Sequence, residues 1–194
     1  METLPERIRA FIAIRVSPEV QRAIEDVIAE LRAPGDGIRW MSLANLHLTL
    51  KFLGPAVPIE KIHNLDRELK AIAAETEAFE VDGAGVGGFP NLNRPRVLWV
   101  GLASDALVDL ANRIEAATER CGFPREDRAF NPHLTIARLK TPRVRAETRA
   151  SIESARERKF GASTIREMTL YRSLLTSKGS TYEALSKFPF NSHS

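Results

Sequence analysis

Asn45-Leu46-His47-Leu48-Thr49-Leu50-Lys51-Phe52 and Asn131-Pro132-His133-Leu134-Thr135-Ile136-Ala137-Arg138 are two versions of one eight-residue phrase. Each reads His-Leu-Thr-aliphatic, and in each the apolar and polar residues alternate, the pattern of a half-buried β-strand. On a strand, residues two apart share a face. His47 and Thr49 therefore look one way, and Leu46, Leu48 and Leu50 the other. His133 and Thr135 likewise share a face, with Leu134 and Ile136 behind them. Each strand offers an imidazole beside a hydroxyl, backed by core.

Outward from these phrases the chain repeats itself. The apolar run Arg9 to Arg15 predicts a buried strand, and Ser17-Pro18 predicts an N-cap and a first-turn proline. Val20, Ala23, Ile24, Val27, Ile28 and Leu31 then recur at helical spacing, ended by Pro34-Gly35-Asp36-Gly37. Ile38 to Trp40 reads as a short strand, and Gly54-Pro55 as the stop of the first His-Leu-Thr strand. Ile59, Ile62, Leu65, Leu69 and Ile72 mark a second helix, Phe79 to Val86 a strand, and Gly87 to Pro95 a breaker-rich loop. Arg96 to Leu102 then resembles the first strand. Ser104-Asp105 caps a helix with Leu107, Leu110, Ala111, Ile114 and Cys121 on its apolar face, closed by Gly122-Phe123-Pro124. After the second phrase come a basic helix from about Arg143 to Arg156 and two strands, Thr164 to Leu175 and Thr181 to Phe188. The strands form a hairpin around Ser177-Lys178-Gly179-Ser180.

The caps Ser17 and Ser104 stand 87 residues apart, and the histidines 86. So small a slippage over a strand–helix–strand unit predicts two β-α-β-α-β-β halves, about 9–95 and 96–190, in a single bilobal domain of residues 1–194. Two similar halves pack about a pseudo-twofold axis, which brings both histidine strands to one central groove.

The bulk numbers bound the rest. At 194 residues, with 43% hydrophobic and 27% charged residues, the chain has the make-up of an ordinary globular protein with a core of its own. One cysteine, Cys121, excludes an intramolecular disulfide and fits a reducing compartment. No signal peptide or apolar run of membrane-spanning length is read, so the expectation is a cytoplasmic protein, a monomer with no membrane partner. A net charge of +3 is compatible with a phosphate-rich partner.

One His-x-Thr is an ordinary strand feature. Two at matching places in a repeat are different, because folding preserves an apolar pattern but has no need to keep His and Thr together. A metal is one reading, since two histidines can ligate zinc. The further ligands are missing: His63 reads as the exposed side of a helix, His193 lies in the tail, and no carboxylate stands beside either phrase. The expectation is a site without metal or cofactor. In-line displacement at phosphorus needs one group to take a proton on one side and another to give one on the opposite side. Histidine suits both roles, and a twofold-related pair straddling one phosphorus has the geometry. The Thr49 and Thr135 hydroxyls would hold the non-bridging oxygens.

The paired motifs resemble those of the two-histidine phosphoesterase superfamily. Arg39-Trp40, Asn45 to Gly54, Pro95 to Gly101, Pro132 to Arg138 and Leu170-Tyr171-Arg172-Ser173 resemble the RNA 2′,3′-cyclic phosphodiesterases, also called 2′-5′ RNA ligase-like proteins. The resemblance spans essentially the whole chain. It implies a bilobal α+β fold, here two mainly antiparallel sheets flanking a cleft with helices outside. It implies metal-free opening of a 2′,3′-cyclic phosphate, on an RNA end or a small cyclic nucleotide, to a 2′-phosphate. It further implies His47 as proton donor to the leaving 3′-oxygen and His133 as proton acceptor from water. Two alternatives stay open: the reverse reaction, joining RNA ends through a 2′-5′ linkage, and a non-catalytic module that binds RNA ends or nucleotides.

Other residues carry expectations. Lys51, on the His47 face, touches phosphate or is solvated; Trp40 and Phe89 stack on a base or simply pack; Arg143, Arg145, Arg149 and Arg156 follow an RNA backbone or form a solvated face. Phe52 and Arg138 each lie five residues after their histidine, an odd offset that points them away from the cleft on a regular strand. A buried unpaired guanidinium is costly, so a bulge or bend near Lys51 and Ala137 is expected to re-aim both. The resemblance has functional residues at these two positions. Phe52 would then stack on the terminal base and Arg138 grip phosphate or the neighbouring nucleotide; otherwise Phe52 is core and Arg138 solvated.

Overall fold

The computed structural model describes residues 5–33, 35, 37–142, 144–176 and 179–191. Strand β1 (Arg7–Ile14) is the apolar run, buried without alternation from Ala10 to Ile14 as a strand covered on both faces is. Helix α1 (Pro18–Leu31) opens where the Ser17 hydroxyl accepts from Val20 N, and buries Val20, Ile24, Val27, Ile28 and Leu31. The first half continues with β2 (Ile38–Trp40), a 3₁₀ turn (Leu43–Asn45), β3 (Leu48–Pro58), α2 (Ile59–Ala74) and β4 (Phe79–Phe89). The second half runs β5 (Val97–Ala103), α3 (Asp105–Arg120), β6 (His133–Leu139), α4 (Ala146–Ser154), β7 (Lys159–Ile165), β8 (Glu167–Thr176) and β9 (Gly179–Pro189).

Among the described residues these strands form a nine-stranded sheet in the order β7-β4-β5-β6-β3-β1-β8-β9, with β2 beside β6. The order divides into two antiparallel leaves of four strands, β7 to β6 and β3 to β9, joined at Leu48 opposite Leu134. These leaves are the two sheets expected from the repeat. The halves interlock: β4 of the first half lies between β5 and β7 of the second, while β8 of the second half pairs with β1 and carries β9 outside it. Helices α2 and α3 pack on each other and on β3, and α1 and α4 pack together over β7 and β4. Leu46, Leu48, Leu134 and Ile136 carry the buried core across the joint. None of the described helices is long and apolar enough to cross a membrane.

Several details differ from the sequence reading. Gly54-Pro55 does not stop β3, which runs on to Pro58. Pro55 falls in a bulge between the pairs Ala10–Gly54 and Ile8–Val57, where a missing N–H costs the ladder nothing. The expected strand Thr164 to Leu175 is two strands, split at Arg166: β7 pairs with β4 and β8 with β1, at opposite ends of the sheet. No glycine or proline marks that crossing, so alternation alone runs through it. Ser104 stands at the N-cap of α3, but its side chain makes no capping bond. The basic helix is shorter than expected, and its arginines are occupied within the fold: Arg149 donates to Asn93 O, Arg145 to Gly35 O, and Arg156 pairs with Glu153. Pro34, Asp36, Arg143, Ser177, Lys178 and His193, which carried expectations, lie outside the described residues.

Gly87, Gly88 and Phe89, read as loop, belong to β4. Gly87 is paired with Trp99, and a Cβ at position 87 would fall inside the indole. The glycine is there for close approach, not for a turn. Gly87→Ala should therefore displace Trp99 and destabilise the protein by about 1–3 kcal/mol, the range for an overpacked core. Thermal melting checks this, and a melting temperature within a degree of wild type would show that the indole has room to move.

Candidate active site

The Leu48–Leu134 pair fixes where the polar side chains of the two phrases lie. With 48 opposite 134 in an antiparallel pair, His47 falls opposite Thr135 and Thr49 opposite His133. All four share the face opposite the two buried leucines. The histidines are diagonal neighbours across the joint, a backbone spacing of about 7–8 Å. His133 opens β6, whereas His47 stands just ahead of β3.

Both strands then break step at the same place. Leu50 is the extra residue between the pairs Ala13–Thr49 and Ile12–Lys51, and Ile136 is extra between Trp99–Thr135 and Leu98–Ala137. Each bulged residue comes three after its histidine, one position before the expected site. A bulge reverses which residues face which way. Lys51 and Ala137 turn into the core, and Phe52 and Arg138 turn to the cleft.

The two imidazoles are held alike. His47 Nδ1 lies 2.8 Å from Asn45 O, and His133 Nδ1 lies 2.7 Å from Asn131 O. A carbonyl only accepts, so each Nδ1 carries the hydrogen and each Nε2 is left for the cleft. Arg15 steadies the 3₁₀ turn before His47 by donating to Leu43 O and Ala44 O, and the Asn45 amide donates to Ser180 O. Behind His133, Pro132 O accepts from Leu102 N. Aromatic rings fix the remaining tilt. Phe11 lies 4.8 Å from the His47 ring, and Tyr182 meets it edge-on at 4.9 Å. Phe89 meets the His133 ring edge-on at 5.0 Å, with Trp99 at 6.4 Å.

Two chambers open at the joint. One of about 380 Å³ holds His47 with Arg9, Phe11, Ser173 and Tyr182. The other, about 550 Å³, holds His133 and Thr135 with Phe89, Val97 and Phe130. Thr49, Phe52 and Arg138 line both. Trp40 is apart from them, in a neighbouring chamber that also reaches Arg138. Lys51 requires a correction: it is 2% exposed, lines neither chamber, and donates to Glu115 Oε1 and Pro124 O, both at 2.8 Å. The bulge at Leu50 is the cause, moving Lys51 off the His47 face. Arg9, Ser173 and Tyr182 escaped the sequence reading. The signal for Arg9 was a charge inside an apolar run, two residues before Phe11 and hence on the same face. Its guanidinium carbon sits 4.4 Å from the Phe52 ring centre.

The model of the 2′-5′ RNA ligase superfamily matches residues 17–176. The chain belongs to that superfamily. It is 32% identical to the RNA 2′,3′-cyclic phosphodiesterase of Archaeoglobus fulgidus, covering 93% of this chain and 99% of the relative. It is 30% identical to the protein of the same name from Aquifex aeolicus, covering 93% and 96%. Among solved structures, a Thermus thermophilus protein superposes with a TM-score of 0.82 at 29% identity, covering 94% of this chain and 98% of that one. E. coli LigT complexed with 3′-AMP gives a TM-score of 0.79 at 27% identity, covering 95% and 99%.

In this member of the 2′-5′ RNA ligase superfamily, among the described residues no three His, Cys, Asp or Glu side chains gather as a metal-ligand set. His63 is exposed on α2 and Cys121 caps α3. His47 is electrostatically distinctive. Burial lowers its pKa to about 4; the bond to Asn45 O opposes this, and the positive charges of Arg15, Arg138 and His133 add to it. The imidazole is therefore neutral at pH 7 in the substrate-free cleft.

That shift has a sign in stability. The unfolded chain protonates His47 near pH 6.5 and the folded chain only near pH 4, so folding expels a proton between those values. The contribution is whole above pH 6.5 and is lost as the pH falls toward 4, by roughly 3 kcal/mol at about 1.4 kcal/mol per pH unit. Lowering the pH from 7 to 4.5 should thus lower the melting temperature of wild type more than that of His47→Gln. Parallel curves across that window would mean that His47 titrates normally.

Proposed function

We propose that this protein opens RNA 2′,3′-cyclic phosphate ends to 2′-phosphomonoesters through His47 and His133, as a cytoplasmic monomer needing neither metal nor cofactor. The observation that carries the reading is the pair of anchored imidazoles, each with its Nε2 toward the cleft and each opposite the other motif's threonine. Relatives named RNA 2′,3′-cyclic phosphodiesterase support the substrate class. The LigT complex with 3′-AMP supports a nucleotide ligand.

The proposed step is an in-line displacement. His133 Nε2 takes a proton from water as the water oxygen bonds to phosphorus. The bond from phosphorus to the 3′-oxygen breaks, and His47 Nε2–H gives its proton to that oxygen. The product carries a 2′-phosphate and a free 3′-hydroxyl. Thr49 and Thr135 donate to the non-bridging oxygens, where negative charge concentrates. Arg138, common to both chambers, adds a charge-assisted bond to phosphate. Arg9 lines the His47 chamber and covers one side of Phe52, so the terminal base stacks on the ring from the His133 chamber, beside Phe89 and Phe130. Ligation uses the same two histidines in the same roles, with a 5′-hydroxyl in place of water.

A defined oligonucleotide ending in a 2′,3′-cyclic phosphate should yield the 2′-phosphate isomer, with activity surviving exhaustive chelation. His47→Ala and His133→Ala should each lower kcat by roughly 10²–10⁴. Near-wild-type turnover by either variant would remove the paired acid–base mechanism and leave a binding module or another chemistry.

The donor role makes a further demand. A group held near pKa 4 must gain its proton when substrate arrives. The negative phosphate beside the ring supplies the opposing charge. Binding of a 2′-phosphorylated nucleotide at pH 7 should therefore take up a proton, read as a dependence of the calorimetric enthalpy on buffer ionisation, and His47→Ala should abolish the uptake. Binding with no proton uptake in the wild type would take the donor role away from His47.

A further inference from the structure

A third chamber, of about 320 Å³, adjoins the cleft and has no part in the two-histidine chemistry. It meets the His47 chamber along Arg138, Ser180 and Tyr182, which line both. Arg39, Trp40 and Asn45 form its far side. Its described lining contains two arginines, one indole, an amide and several hydroxyls, with no carboxylate. Arg39 and Arg138 are register partners on β2 and β6. The Arg39 guanidinium also lies so close to Gly179 that a Cβ there would overlap it, so the arginine crosses from one leaf to the hairpin of the other.

We propose that this chamber binds the nucleotide on the 5′ side of the cyclic phosphate end. Arg39 and Arg138 hold the linking phosphodiester, and the base stacks on Trp40. The proposal rests on the function given above and narrows it: the preferred substrate is an RNA end of at least two nucleotides, not a mononucleotide. Three features agree. The chamber shares Arg138, Ser180 and Tyr182 with the His47 chamber, so it is the next-door space for a chain leaving the reaction centre. The two charged side chains of its described lining are both positive, which suits a phosphodiester. Its hydroxyls and the Asn45 amide suit a ribose.

The test compares adenosine 2′,3′-cyclic phosphate with the diadenosine dinucleotide carrying the same cyclic end. The wild type should favour the dinucleotide in kcat/KM by about tenfold to a hundredfold, the size of one stacked base and one charge-assisted phosphate contact. Most of the gain should lie in KM and shrink with added salt. Arg39→Gln should erase the gain while leaving the mononucleotide constants unchanged. Equal kcat/KM for the two substrates in the wild type overturns the proposal, as does an Arg39→Gln variant that slows both alike. If the wild type turns over neither substrate, the proposed function falls, and calorimetry with the 2′-phosphorylated mononucleotide and dinucleotide judges the chamber separately. Tighter binding of the dinucleotide, by about tenfold and dependent on Arg39, upholds it; equal affinity rejects it.

Discussion

The contact between Leu48 and Leu134 governs the site. It is where the two leaves of the sheet meet, and its register decides which face every neighbouring side chain takes. A slip of either strand by one residue would turn its histidine and threonine into the core and bring its leucine out. The leucines prevent it. Both are essentially fully buried, and exposing each would cost roughly 1.5–3 kcal/mol. Burying imidazole nitrogens without partners would add to that. A short joint is enough because the interlocked halves hold the leaves from behind, with β4 in one and β8 and β9 in the other.

The bulges at Leu50 and Ile136 convert this symmetric joint into an asymmetric site. They belong to the repeat, standing 86 residues apart as the histidines do. Beyond them the backbone treats the two copies alike, sending one residue inward and the next to the cleft. The side chains differ: Lys51 against Ala137 inward, Phe52 against Arg138 outward. Inward, Lys51 ties β3 to Glu115 on α3, while Ala137 simply packs. Outward, one copy supplies an aromatic face and the other a guanidinium. A shared frame thus puts an aromatic ring and a positive charge, from different strands, into the lining of the same two chambers.

The histidines follow the same logic. Their backbone anchors are nearly identical, so their tautomers and ring positions match. Their surroundings do not match. His47 sits against Phe11 and Tyr182 within the field of Arg15 and Arg138, and loses its proton easily. His133 has Phe89 and Trp99, the latter seated over Gly87. Acid and base roles can therefore be divided by environment, although the motif alone is symmetric.

The local sequence was enough to determine the Ser17 cap, the apolar stripes of the helices, the residues of both motifs and the shared face of each His-Thr pair. These depend on periodicities of 2 and 3.6 residues that any short window displays. It also gave a reason to expect a break after His133, because an odd offset on a regular strand would send Arg138 into the core. What the tertiary structure alone decided depends on partners distant in the chain. Arg166 carries the chain between leaves with no turn residue to announce it, because strand partners, not local propensity, choose where a β-run is cut. Lys51 looked like a cleft residue until a bulge set against β1 turned it toward Glu115. Arg9, Tyr182 and Trp40 acquire their places from pairings between strands far apart in sequence. Side-chain direction beyond a bulge is a property of two strands together, and one strand's sequence does not contain the other.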